Sequence, residues 1–131
     1  MSGIDDLSVL LADMRPELQP GSYVFVTLAD GRYGDGAEYE PIASCYEREG
    51  LSLVVPKARA DANGLAYDGV FRLISLVVHS SLSAVGLTAA IAARLTAEQI
   101  SANVVAGHFH DHLFVPESRA GDAIAALQSL S

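Results

Sequence analysis

The chain has 131 residues, half of them apolar, enough to bury roughly two-thirds of its unfolded surface in one compact domain or in two small units. Eight basic residues against sixteen acidic ones give a net charge of −8, the wrong sign for neutralising phosphate or lying on an anionic membrane, so nucleic acid and membrane are excluded as expected partners. The N-terminus has no basic region before an apolar core, the apolar stretch from Ala84 to Leu95 is interrupted by Thr88 and Arg94, and the single Cys45 cannot form an intrachain disulfide. The expectation is therefore neither signal peptide nor membrane span, and a reducing cytoplasm.

In chain order, Leu7, Leu10, Leu11, Met14 and Leu18 recur at helical spacing behind Asp5 and Asp6, which predicts a short amphipathic helix stopping near Pro16. Residues 22–28 are rich in β-branched and aromatic side chains and read as a strand; the Gly/Asp-rich residues 30–36 read as a surface loop. A hairpin follows, residues 42–46 and 51–55 turning near Glu49-Gly50. A short helix then runs from Pro56 to a left-handed cap at Asn63-Gly64. Residues 71–79 are nearly continuously apolar, which predicts a central strand covered on both faces. Past a serine-rich turn, Leu87, Ile91 and Leu95 mark one face of a helix whose alanines allow close approach. A second hairpin, residues 101–109 and 112–115, leads into a helix with Ala120, Ala123, Ile124, Leu127 and Leu130 on one stripe.

Two of these stretches nearly repeat each other. Leu53-Val54-Val55-Pro56-Lys57-Ala58-Arg59-Ala60 and Leu113-Phe114-Val115-Pro116-Glu117-Ser118-Arg119-Ala120 share Leu-x-Val-Pro-x-x-Arg-Ala, sixty positions apart. Proline fixes φ and is tolerated at the first turn of a helix, so each copy reads as strand, then helix. Residues 41–46 and 101–106 extend the agreement upstream as strand-like segments. The chain thus predicts a duplicated hairpin-plus-helix, an α+β fold of two ferredoxin-like units with helices on one face of antiparallel sheets. Residues 67–131 spell β-α-β-β-α in full. Residues 1–66 form a degenerate copy that lacks the helix between its first two strands, where the loop at 30–36 stands instead.

The strand ending Val77-Val78-His79, the turn Ser80-Ser81-Leu82-Ser83-Ala84-Val85-Gly86 and the strand Ile100-Ser101-Ala102-Asn103-Val104-Val105 together resemble an ACT domain. This is a small ligand-binding module found on amino-acid-controlled enzymes such as aspartate kinases. The whole chain resembles the small stand-alone bacterial proteins built from two such units. Its turn departs from the commoner pattern, in which Asp and Pro precede the glycine; here Ala84 and Val85 stand there. The resemblance implies a βαββα fold, a ligand, and a site drawn from His79, Ser80, Ser81, Ser83, Ala84, Val85, Gly86, Asn103 and Val104.

The residues themselves agree with that implication without requiring it. Ser83 is placed to cap a helix starting near Ala84, whose free N–H groups and positive end attract a carboxylate. Gly86 would let a ligand or a neighbouring strand approach the backbone. Equally, the two could serve only as a cap and a helix–sheet packing contact. Asn103, read as an amide in the middle of an apolar strand, must find partners or cost roughly 1–3 kcal/mol, and a ligand or a nearby loop would serve. His79 reads equally as a hydrogen-bonded structural residue.

The enzyme alternative lies in His108, His110 and His112, alternating around Asp111: three same-face imidazoles with a carboxylate could hold zinc. The repeat places the hairpin turn at His110-Asp111, which breaks the alternation, so a polar hairpin tip and no metal are expected. Cys45 stands at the repeat position of Val105 and reads as a small core hydrophobe without a basic partner to activate it. The sequence therefore points to a regulatory or sensor protein without catalytic activity or cofactor. It would bind a small molecule, most simply an amino acid, at an interface between ACT-like units, and favour one arrangement of them. Strands apolar on both faces and alanine-rich helices predict a homodimer or larger assembly. The alternatives are a metal-assisted enzyme using the three histidines and a purely structural dimerisation module.

Overall fold

A computed structural model describes Gly3 and residues 5–131. The elements are α1 (Leu7–Ala12), β1 (Pro16–Leu18), β2 (Tyr23–Leu28), β3 (Ala43–Glu47), β4 (Gly50–Pro56), α2 (Lys57–Ala62), β5 (Phe71–Leu76), α3 (Leu87–Ala97), β6 (Asn103–Ala106), β7 (Asp111–Pro116) and α4 (Ala120–Gln128). Packing gathers them into a continuous unit, residues 21–71, and a split unit made of residues 1–20 with 72–131. The repeat alone divides the chain near residue 66. The N-terminal segment joins the split unit because β1 pairs antiparallel with β5, Glu17 opposite Ser75.

In the continuous unit, β4 lies between β3 and β2, antiparallel to both. Strand alternation puts Val24 and Val26 of β2 on the same face as Leu51, Leu53 and Val55 of β4. These five side chains, with Ala60 of α2, form a buried cluster. Pro56 ends β4 at φ −57°, ψ 134° and serves as the N-cap of α2, so the proline converts strand into helix as its fixed φ predicts. No α-helix joins β2 to β3. Gly36, at φ +81°, brings the backbone so close to the sheet that an added Cβ would lie 2.6 Å from Leu53 Cδ1, and Tyr39 packs onto the cluster from the turn that follows.

The split unit orders its strands β1-β5-β7-β6. Helices α1, α3 and α4 bury Leu10, Leu87, Ile91, Leu95, Ala123 and Leu127 against Ile74, Leu76, Leu113 and Val115 of the sheet. Pro116 repeats the geometry of Pro56, φ −54° and ψ 134°. Both units are thus antiparallel sheets with helices on one face, the tandem ferredoxin-like architecture read from the pattern.

Several expectations need correction. Leu18 belongs to β1, because the first helix stops at Ala12 and Arg15 takes φ 45° just before Pro16. Helix α3 starts at Leu87, three residues later than Ala84, and its N-cap is Gly86 at φ +102°. Ser83 therefore does not cap it. The second hairpin turns at residues 107–110, closed by the Gly107 N–H on the His110 carbonyl at 2.9 Å, one step earlier than His110-Asp111. Cys45 is exposed, since β3 has only β4 beside it and so lies at the edge of its sheet.

Candidate functional site

Within the split unit, the turn after β5, the first turn of α3 and the β6–β7 hairpin border a partly open cavity of about 150 Å³. Ser80, Ser81, Leu82, Ala84 and Gly86 line it from the turn, Leu87 and Thr88 from α3, and Ala106 and Asp111 from the hairpin. Ala106 and Asp111 are Cα partners across the β6–β7 ladder, so pairing fixes that wall. The turn is held by its own serines. Ser81 accepts the Ser83 N–H on its Oγ at 3.0 Å, and the Ser81 carbonyl accepts the Ala84 N–H at 3.0 Å.

Two polar features face one another here. Gly86 brings no side chain to cap α3, and the first intrahelical bond runs from the Ala90 N–H to the Gly86 carbonyl at 2.9 Å. The N–H groups of Leu87, Thr88 and Ala89 precede that bond, so the helix itself leaves them without a carbonyl, at the positive end of the helix dipole. Across the cavity, Asp111 accepts the Ser80 hydroxyl on Oδ2 at 3.3 Å, and Ser80 is only 8% exposed. Leu87 and Thr88 at the start of α3 and Asp111 of the hairpin thus border one space, and a helix start beside a carboxylate complements a molecule that carries both charges.

Of the residues the resemblance implies, the cavity thus gathers Ser80, Ser81, Ala84 and Gly86. His79, Ser83, Val85, Asn103 and Val104 lie outside its lining. Val85 is 84% exposed. Asn103 is exposed at the first residue of β6, with Nδ2 3.4 Å from the Phe114 carbonyl, so the burial cost expected of a mid-strand amide does not arise. The Cα–Cβ vector of Gly86 points at α1, where a Cβ would meet Leu7 Cδ2 at 3.1 Å; the missing side chain makes room for Leu7. In the sequence Asp111 stands out only as part of the histidine cluster. The signal for its role is the repeat: it takes the place of Leu51, which is 2% exposed, so a carboxylate stands where the other copy has a core leucine.

The three histidines around Asp111 take separate partners. The His108 ring packs against Phe109 at 5.0 Å, His110 Nδ1 lies 3.4 Å from the Val78 carbonyl, and His112 Nδ1 meets Ser75 Oγ at 2.8 Å. Among the described residues no group of three or more His, Cys, Asp or Glu side chains is arranged to hold a metal ion. Burial holds the His112 imidazole below its ordinary value of 6.5; the nearby His110 pushes the same way and Asp111 pulls weakly upward.

The continuous unit has a second space, of about 160 Å³, floored by Leu51 and Leu53 and bordered by Tyr33, Asp35 and Ser44. Its one carboxylate already accepts the Arg32 N–H on Asp35 Oδ2 at 2.8 Å.

Comparison with known proteins adds the following. Two family profiles, each described as an ACT domain, match residues 2–72 and 69–129. A solved protein of unknown function from Vibrio cholerae, described as a possible transport protein, is 48% identical over 98% of both chains, with a TM-score of 0.86. A protein from Agrobacterium tumefaciens is 17% identical, covering 88% of this chain and 87% of its own, at a TM-score of 0.72. The ligand-free regulatory subunit of aspartate kinase from Thermus thermophilus is 9% identical over 90% of this chain and 98% of its own, at a TM-score of 0.62. The last two share the fold. No curated protein matches.

Proposed function

The chain belongs to the ACT-domain family, as two tandem units, and on that premise we propose that it is a non-catalytic regulatory or sensor protein that binds an amino acid in the cavity at the head of α3. One observation carries this reading: the uncapped first turn of α3 and Asp111 line the same space of about 150 Å³. The carboxylate of an α-amino acid would accept from the first-turn N–H groups, favoured by the helix dipole. Its ammonium would meet Asp111. The aspartate kinase regulatory subunits that share the fold support a role in amino-acid control. Such a ligand acts by binding one arrangement of the protein better than another, and shifts the equilibrium by no more than that difference in affinity.

The separate partners taken by His108, His110 and His112 disfavour the metal-assisted alternative. A homodimer in the cytoplasm completes the reading. It is supported by the exposure of Leu82 and Val85 at 69% and 84%, and by the edge strand β6 with Val104 at its surface. Sedimentation at micromolar concentration should give a dimer or larger; monomer alone would overturn that part.

The main test is a thermal-shift screen against the standard amino acids. A ligand at about a hundred times its dissociation constant adds about 2.7 kcal/mol of stability, a plain rise in melting temperature. The absence of any shift, with calorimetric titration equally flat, would leave the structural dimerisation module as the reading.

A further inference from the structure

We propose that the cavity of the split unit selects its ligand through a positively charged group held on Asp111, and so takes a neutral α-amino acid with a short side chain in preference to an acidic, basic or long one. The inference rests on the reading of this cavity as the ligand site.

Among the described residues Asp111 is the one charged residue in the cavity wall; the rest of that lining is hydroxyl, backbone and small apolar surface. The carboxylate is fixed rather than mobile, since it starts β7 opposite Ala106 and accepts from the buried Ser80 hydroxyl. That bond uses one of about four acceptor positions on a carboxylate, so most of its capacity remains for a ligand. Of the neighbouring imidazoles, His110 Nδ1 lies near the Val78 carbonyl, and the His112 ring is turned to Ser75, with burial pushing its pKa below the ordinary 6.5.

The repeat sharpens the point. At the matching position of the continuous unit stands Leu51, a core residue. Asp111 at that position is only half-buried, so its carboxylate stays open to solvent and to whatever occupies the cavity. Asp111 accepts the Ser80 hydroxyl and interacts weakly with His112, and a ligand ammonium would add an ionic partner.

Charge and size then narrow the class. Among the described residues a second carboxylate on the ligand would find no cation in the wall, and a second ammonium no second acid. The space of about 150 Å³ is half the lower end of the roughly 300–1,000 Å³ that drug-sized ligands occupy. A cavity of about this volume accepts a molecule the size of benzene. Glycine, alanine, serine and threonine are of that order.

The test is calorimetric titration of the full chain with glycine, L-alanine, L-serine, L-threonine, L-aspartate, L-lysine and L-lactate, in wild type and in Asp111→Asn. One of the first four should bind most tightly, and L-lactate, which is L-alanine with hydroxyl in place of ammonium, should bind more weakly than L-alanine. Asp111→Asn should weaken the tightest of them by about tenfold or more, the effect of losing a bond to a charged group. Tightest binding by L-aspartate or L-lysine, or unchanged affinity in a folded Asp111→Asn, would overturn this inference while leaving amino-acid binding intact. Failure of every amino acid to bind wild type would overturn the underlying reading instead. Should Asp111→Asn not fold, the wild-type comparison of L-alanine with L-lactate decides, and equal affinities would reject the role of Asp111.

Discussion

The two units carry the same Leu-x-Val-Pro-x-x-Arg-Ala segment in the same geometry, yet they use the ground beside it differently. In the split unit α3 covers the sheet and presents an uncapped N-terminus to Asp111. In the continuous unit a glycine-bent loop covers it, and the exposed Asp35 accepts a backbone N–H of that same loop. The shared arginine follows the same division. Arg119 reaches the Glu98 carbonyl at the C-cap of α3 at 3.1 Å, whereas Arg59 pairs with the Glu40 side chain in the loop at 2.9 Å. A duplicated frame can thus be kept while only one copy places its opening at a helix start, because the frame depends on apolar alternation and the character of the opening on what covers the sheet.

The largest effect that would break this comparison concerns the common frame. Leu53 and Leu113 are repeat equivalents and both are buried, so truncation of either to Ala should cost about 2–5 kcal/mol in chemical denaturation. Leu113→Ala should fall at the upper end, because Leu53 already borders a cavity and has fewer contacts to lose. Equal or reversed costs would mean that the frames are not packed alike.

A smaller effect concerns Gly86. Any side chain there must adopt φ +102° and push Leu7 aside, so Gly86→Val should lose roughly 1–3 kcal/mol of stability by overpacking, with further loss from backbone strain. Gly21, at φ +84° with open space around it, should show the strain alone. Equal melting temperatures for Gly86→Val and Gly21→Val would show that contact with Leu7 does not matter.

The smallest effect is a pH dependence confined to the split unit. His112 has its folded-state pKa held below the unfolded value of 6.5, so as pH falls the unfolded chain takes up the proton first. Its contribution to stability is whole above that value and is lost as pH falls through 6.5 toward the lower folded value. The continuous unit has Ser52 at the equivalent position, which does not titrate. Denaturation between pH 7 and pH 5 should therefore show less loss of stability in His112→Gln than in wild type; the same loss in both would assign the slope to other groups.

Cys45 and Asn103 show why burial was not legible locally. Each sits among apolar neighbours in sequence, but β3 and β6 have a strand on one side only within their units, and strand order is not written in either segment. The start of α3 differs from the sequence expectation for a related reason. Serines before an apolar run read as caps, whereas the turn spends Ser81 on its own backbone and Gly86 supplies the left-handed residue that begins the helix.

By itself the sequence determined the duplicated frame, since period-two and helical apolar patterns together with a φ-locked proline act over a few residues and need no distant partner. Tertiary structure decided which segment completes each sheet, which strands lie at an edge, and that Asp111 rather than Asn103 faces the space at the head of α3. Those outcomes turn on long-range pairing: β1 finds β5 across more than fifty residues, and Ser80 meets Asp111 across thirty-one.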